Sequence, residues 1–178
     1  MKTPGILFLI VFASLFSLTA CEDWLDVKKT FTFEHEFPVT SDDLSFQESE
    51  VIDMPLKNSL IKDYGSKIKK IEILEVRYWL TYHEGSETQQ YNNISLNVAK
   101  ADGSDSKNIS TLQNVVLSPL LNNPTVLPTN EEGTKKLSDL IKNPPHKLSL
   151  KIVGDINEVP VNFKVYFEFD VRMTASPL

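Results

Sequence analysis

Apolar and polar side chains alternate along most of this chain, and a repeat of two residues predicts β-strands. Residues 161–173 show the pattern best, because the apolar positions are Phe163, Val165, Phe167, Phe169, Val171 and Met173. Such a strand buries one face and leaves the other in water, as in an antiparallel sheet. Residues 30–37 alternate in the same way, and Pro38 is expected to end their strand.

Shorter alternating stretches predict the other strands, at residues 44–52, 91–99, 108–117 and 147–153. Asp102-Gly103 predicts a hairpin turn between two of them. Residues 121–128 are expected to form a loop or a short edge strand.

The longest predicted strand, residues 67–82, changes phase in its middle. The apolar positions are first odd-numbered and then even: Ile71 and Ile73, then Val76, Tyr78, Leu80 and Tyr82. A β-bulge near Leu74 or Glu75 would keep both groups on the core face. Two consecutive strands that bend from one sheet to the other would give the same pattern.

Only one long helix is predicted, at residues 130–143. Thr129 and Glu132 have the spacing of a capping box, and Leu137, Leu140 and Ile141 form an apolar stripe. A short helical turn is expected at residues 58–64. Several strands with so little helix predict an all-β fold, an Ig-like antiparallel β-sandwich with Greek-key connections. Residues 30–178 are expected to form this sandwich as a single domain.

The N-terminal segment has the features of an export signal. Lys2 precedes an apolar run at residues 6–18, which is too short for a transmembrane helix of about 20 residues. The run ends in Leu18-Thr19-Ala20-Cys21, which resembles the bacterial lipobox. The resemblance implies a signal peptide at residues 1–20 and a lipidated Cys21 that anchors the protein to a membrane.

The residues after Cys21 carry a second resemblance. The sequence CEDWLDV, residues 21–27, is similar to the mature start of Bacteroidetes-type outer-membrane lipoproteins, some of which bind glycans. This resemblance implies a lipid-anchored protein of the outer membrane. The protein would lie either at the cell surface or on the periplasmic face. Residues 21–29 are then expected to form a tether, with Trp24 near the lipid headgroups.

Charge and motif content exclude several classes of function. The chain has 178 residues, 18 Lys and Arg against 24 Asp and Glu, and no basic patch, so nucleic acid is not an expected partner. The histidines, His35, His83 and His146, lack metal-ligand spacing, and no metal or cofactor is expected. His35 is predicted to be a buried, hydrogen-bonded core residue. No nucleophile elbow or phosphate-binding loop occurs, so the protein is not expected to be an enzyme, although distant carboxylates could still meet in the fold.

One group of residues is a candidate binding site. If the even-numbered side chains of residues 76–82 face the core, the other face carries Arg77, Trp79, Thr81 and His83. An outward Trp beside Arg can stack on a sugar ring or anchor a protein contact. The alternative is that a helix or loop of the same chain covers Trp79.

These sequence features are compatible with three functions. The favoured hypothesis is an envelope binding or adhesion module for a glycan or a protein. The alternative is a structural or assembly subunit that docks on another envelope protein. An envelope hydrolase is the least favoured.

Overall fold

A computed structural model describes residues 25–178 and confirms the predicted all-β sandwich. The described chain contains eight strands: β1 (Val27–Ser41), β2 (Ser45–Asp53), β3 (Ile68–His83), β4 (Gln90–Lys100), β5 (Lys107–Val116), β6 (Thr125–Val126), β7 (Lys147–Ile156) and β8 (Val161–Ala175). Three α-helices join them: α1 (Met54–Lys57), α2 (Ser59–Tyr64) and α3 (Glu131–Lys142). The predicted helix and the predicted helical turn are therefore both present.

The strands are arranged as a jelly roll. One sheet has the order β1-β8-β3-β6 and the other has the order β2-β7-β4-β5. The first strand thus pairs with the last, the second with the seventh, and so on to β4 with β5, as in one long antiparallel ribbon wound into a sandwich. An Ig-like sandwich instead has its first two strands side by side in one sheet. Here β1 and β2 lie in opposite sheets, so the finer Ig-like strand order does not apply.

The inner faces of the two sheets form one apolar core. β8 lies between β1 and β3 in the first sheet, and its alternate side chains from Val161 to Ala175 are buried. Phe169 stacks on Phe33 with ring centroids 4.5 Å apart. Phe163 packs edge to face against Tyr91 of the second sheet at 5.4 Å. The alternation read from the sequence therefore identifies the core face of this strand.

The first strand is longer than predicted at both ends. β1 begins at Val27, so residues 27–29 belong to the sandwich and not to the predicted tether. At the other end, Pro38 pairs with Lys164 and the ladder continues to Ser41, so the prediction that Pro38 ends the pairing is wrong. β1 is an edge strand, and an edge tolerates a residue without an N–H.

Three irregularities shift the register of β3 against β8. The first, between Ile68 and Lys70, lies at the start of the strand. The second lies between Ile73 and Glu75, which confirms the predicted bulge and leaves Leu74 as the extra, exposed residue. The third lies between Leu80 and Tyr82 and, like the first, has no counterpart in the prediction. As a result Tyr82, predicted to face the core, is 41% exposed.

The N-terminal cap of the long helix lies one residue later than predicted. The Asn130 side chain is the cap, since its Oδ1 accepts a hydrogen bond from the Gly133 N–H at 2.8 Å. The predicted capping box of Thr129 and Glu132 is therefore wrong, and the Glu132 carboxylate pairs with Lys107 instead. Leu137 and Ile141 on α3 are fully buried. Between residues 25 and 178, no helix has the length and apolar character needed to cross a membrane.

Candidate functional site

The polar face of the first sheet carries three rows of side chains across β1, β8 and β3. The register aligns Thr32 with Asp170 and Glu75, Glu34 with Glu168 and Arg77, and Glu36 with Tyr166 and Trp79. Rows form because residues opposite one another in an antiparallel sheet project from the same face. We call this surface the outer face.

Two aromatic side chains lie at one end of the outer face. The Trp79 and Tyr166 rings have centroids 4.4 Å apart and are tilted by 40°. Both side chains are half-buried. The neighbour that packs on Trp79 is thus a side chain of the adjacent strand, and the two rings together form an aromatic pair accessible to solvent.

Arg77 is held by carboxylates on both sides. Its guanidinium lies 2.5 Å from Glu75, 2.7 Å from Glu168 and 3.2 Å from Asp170. The Thr32 hydroxyl donates a further hydrogen bond to Asp170 at 2.7 Å. Because three carboxylates surround one cation, this part of the outer face is negatively charged, and three of the five Arg77 N–H donors already face carboxylates.

Two more hydroxyl groups on the outer face, those of Thr81 and Tyr166, also donate to carboxylates. The Thr81 hydroxyl donates to Glu36 at 2.6 Å. The Tyr166 hydroxyl is hydrogen-bonded to Glu34, and burial followed by this bond raises the pKa of Tyr166 above its ordinary value. Tyr166 therefore remains a protonated donor at neutral pH.

The structure brings together three of the four predicted site residues. Arg77, Trp79 and Thr81 share the outer face, whereas His83 does not. The irregularity of β3 between Leu80 and Tyr82 brings His83 opposite the buried Phe163, and the His83 Nε2 lies 2.8 Å from the Gln89 side-chain oxygen. The prediction that His83 shares the face of Arg77, Trp79 and Thr81 is therefore wrong. A constant period of two could not reveal this change of face.

Sequence reasoning missed the residues that β1 and β8 contribute. Their alternation marks Glu34, Glu36 and Tyr166 as outward, but only the pairing of β8 with both neighbours aligns them with Trp79. No local sequence pattern records that register. The aromatic pair is therefore a tertiary feature, visible only once the order of the strands is known.

Two open clefts flank these rows. The bulge cleft, of about 540 Å³, lies beside Arg77, with Leu74, Thr32 and Asp170 among its lining residues. The seam cleft, of about 350 Å³, is lined by Glu34, His35, Glu36, Glu50, Lys57 and Tyr166. The seam cleft lies where the edge strands β1 and β2 of the two sheets meet.

His35 at the seam cleft is buried, as predicted, but its Nε2 atom lacks a hydrogen-bond partner. Its side chain is 4% exposed, and Nε2 has no hydrogen bond within the described chain. The nearest carboxylate oxygen, on Glu50, is 3.7 Å away, too far for a hydrogen bond. Burial lowers the pKa of His35, against the opposite effect of Glu50. A neutral imidazole whose Nε2 has no hydrogen-bond partner therefore faces an acidic cleft.

Acidification should weaken the fold through His35. Because its pKa is lower in the folded protein, the unfolded chain binds the proton more readily. The stabilising contribution is fully present above the unfolded pKa of about 6.5 and is lost as the pH falls below it. We expect a His35→Leu variant to show a flatter dependence of unfolding free energy on pH between about 5 and 7 than the parent protein. Parallel profiles in urea titrations would contradict this assignment.

Among residues 25–178, no group of three or more His, Cys, Asp or Glu side chains is arranged to hold a metal ion. The predicted lipidation residue Cys21 and the predicted headgroup contact Trp24 lie outside the described residues.

Comparisons with known proteins add similarities of overall shape only. No family model matches the chain, and no curated protein matches it. A solved structure of Desmodium yellow mottle tymovirus is 7% identical, with a TM-score of 0.33 and coverage of 85% of this chain and 84% of that one. Infectious bursal disease virus strain Gx gives 12% identity and a TM-score of 0.39; the match covers 85% of this chain but only 32% of the viral one. Turnip yellow mosaic virus gives 7% identity and a TM-score of 0.37, and the match covers 85% of this chain and 83% of the viral one. Similarities at this level carry no argument about function.

Proposed function

We propose that this protein is a lipid-anchored envelope binding module that holds a glycan on the outer face of its first sheet. The observation that carries the proposal is the Trp79–Tyr166 aromatic pair, half-buried and bordered by hydrogen-bonded carboxylates. Two adjacent rings on a rigid sheet form a platform that needs no rearrangement on binding, which lowers the entropic cost of association.

The chemistry of the outer face suits a sugar. One side of a pyranose ring presents C–H groups, which pack on an aromatic ring as other apolar groups do. The sugar hydroxyls can donate to the Glu34, Glu36 and Glu168 carboxylates, whose oxygens have lone pairs beyond those already used. Hydrogen bonds to ionised acceptors are stronger than those between neutral groups.

Ligand binding should depend on the aromatic pair. We expect Trp79→Ala and Tyr166→Ala each to weaken glycan binding at least tenfold, since truncation removes half of the platform. The measurement is microarray binding to a glycan panel, followed by calorimetry on the strongest binder. Val153→Ala, a truncation in β7 of the other sheet, is the control and should bind like the parent protein. Undiminished binding by both aromatic variants would refute this use of the outer face.

The proposed membrane localisation is based on the N-terminal sequence. We expect Cys21 to carry lipid and to be the first residue of the mature protein, because the lipobox follows an apolar run of signal-peptide length. Two or more acyl chains anchor a protein stably. Mass spectrometry of the membrane-extracted protein measures both features. An unmodified Cys21, or a mature start at another residue, would contradict the proposal.

An assembly subunit is the second candidate, and exposed apolar side chains at the β6 edge favour it. Val126 is 57% exposed and Leu121 is 42% exposed, both beside β3. Apolar groups along a sheet edge are suited to strand addition or protein docking. Loss of co-purification with an envelope protein in a Val126→Lys variant, with glycan binding retained, would support this second role. In neither candidate is the protein an enzyme.

A further inference from the structure

The unpaired His35 nitrogen at the seam cleft indicates what kind of ligand the outer face takes. A buried polar atom without a hydrogen-bond partner destabilises the fold, so it marks a place where a ligand group or water is expected. His35 Nε2 is such an atom, and Glu50 on the other sheet is its nearest charged neighbour. The cleft shares Glu34, Glu36 and Tyr166 with the outer face. The seam cleft and the aromatic pair are thus adjoining parts of one surface.

The seam cleft is rich in acceptors and poor in free donors. Three carboxylates line it, those of Glu34, Glu36 and Glu50, against the lining cation Lys57 and against Lys164, which lies 3.5 Å from Glu36. The Tyr166 and Thr81 hydroxyls already donate to two of these carboxylates. A neutral imidazole can present Nε2 as another acceptor. The ligand group that complements this arrangement is a compact cation with several N–H donors.

The distance between the seam cleft and the aromatic pair determines how long a ligand must be to reach both. Glu36 on β1, Tyr166 on β8 and Trp79 on β3 occupy one row. Two strand spacings of about 4.8 Å separate the outer members of that row by roughly 10 Å. A ligand that stacks on Trp79 and also reaches the seam cleft must therefore extend over about two sugar rings.

We propose that the glycan held by the Trp79–Tyr166 pair carries a primary ammonium group, as an amino sugar does, and that this group sits in the seam cleft between His35 and Glu50. The inference rests on the proposed function, because it names the ligand class of the same surface. An ammonium group offers three N–H donors, which match the imidazole nitrogen and the carboxylates. An anionic sugar would instead meet the three carboxylates around Arg77, which already face three of its five N–H donors.

Three hexasaccharides separate the alternatives: a glucosamine hexamer, its N-acetylated counterpart and a galacturonate hexamer. At a pH of about 6 and moderate salt, we expect the glucosamine hexamer to bind at least tenfold more tightly than the N-acetylated one, with no binding of the galacturonate. Equal affinity for the first two, or preference for the galacturonate, would overturn the inference. If Trp79→Ala still weakened binding in that case, the proposed function would stand.

Variants distinguish a seated ammonium group from general attraction to an acidic protein. Glu50→Gln should reduce the preference for the glucosamine hexamer to about threefold or less, without affecting the N-acetylated hexamer. Glu131→Gln on α3 removes the same charge at an exposed position outside the cleft and should leave the preference unchanged. Equal effects of the two variants would overturn the inference and indicate non-specific attraction. Binding of none of the three hexamers would remove the support for the proposed function and for this inference with it.

Discussion

Gly133→Ala is expected to lower the free energy of unfolding by about 2 kcal/mol or more, although alanine is the better helix former. A Cβ atom at residue 133 would overlap the backbone carbonyl of Asn108 and lie 2.6 Å from the Ile109 Cα. Both atoms belong to β5, which cannot move without breaking its ladder with β4. Overpacking of this kind typically costs 1–3 kcal/mol. In an exposed helix the same substitution would gain about 1 kcal/mol.

The helix itself supplies the control for that measurement. Lys135→Ala changes an exposed residue of α3 and should alter the stability by less than about 0.5 kcal/mol. Urea titrations of the two variants and the parent protein separate helix propensity from close packing. A Gly133→Ala variant as stable as the parent would show that α3 can move away from β5.

The core faces of the strands could be predicted because burial imposes a local rule. Every second side chain of β8 is buried, and the sequence alternates accordingly. The bulge near Leu74 was predictable for the same reason, since apolar residues on both sides change phase. Residues such as Phe163 and Phe169 therefore identify the core without any knowledge of their neighbours.

The order of the strands could not be predicted, because it depends on contacts between distant segments. β1 pairs with β8 across most of the chain, and nothing within either strand specifies that partner. Both Ig-like and jelly-roll sandwiches satisfy the same alternation. The choice between them is made by the packing of both sheets and by the connections between strands.

The candidate site was only partly predictable for the same reason. Trp79 and Arg77 could be assigned to an outward face from period two alone. The face of His83 could not be predicted, because the irregularity between Leu80 and Tyr82 has no signature in the side chains of β3. Tyr166 and Glu36 join the site through the register of β8, which only the fold determines. The acidic, aromatic character of the surface thus arises from three strands together.

Phe169→Ala is expected to have the largest effect on stability, about 3–5 kcal/mol. Phe169 is fully buried in β8, the central strand between β1 and β3, and its ring stacks on Phe33 at an angle of 2°. Truncation leaves a cavity that rigid strands on both sides cannot close. Chemical denaturation measures the loss, and Leu56→Ala at an 85% exposed position is the control, with a change below about 0.5 kcal/mol.

A double-mutant cycle separates the ring contact with Phe33 from the general loss of buried volume. Phe33→Leu and Phe169→Leu each retain an apolar side chain but remove the stacked geometry. Aromatic pairs contribute about 0.5–1.5 kcal/mol beyond their buried area. The double variant should therefore lose less stability, by that amount, than the two single variants lose in sum. Strict additivity would mean that these rings act only as independent apolar volume. The sandwich would then owe its stability to the alternation of apolar residues in β1 and β8, and not to the particular pairing of the two aromatic side chains.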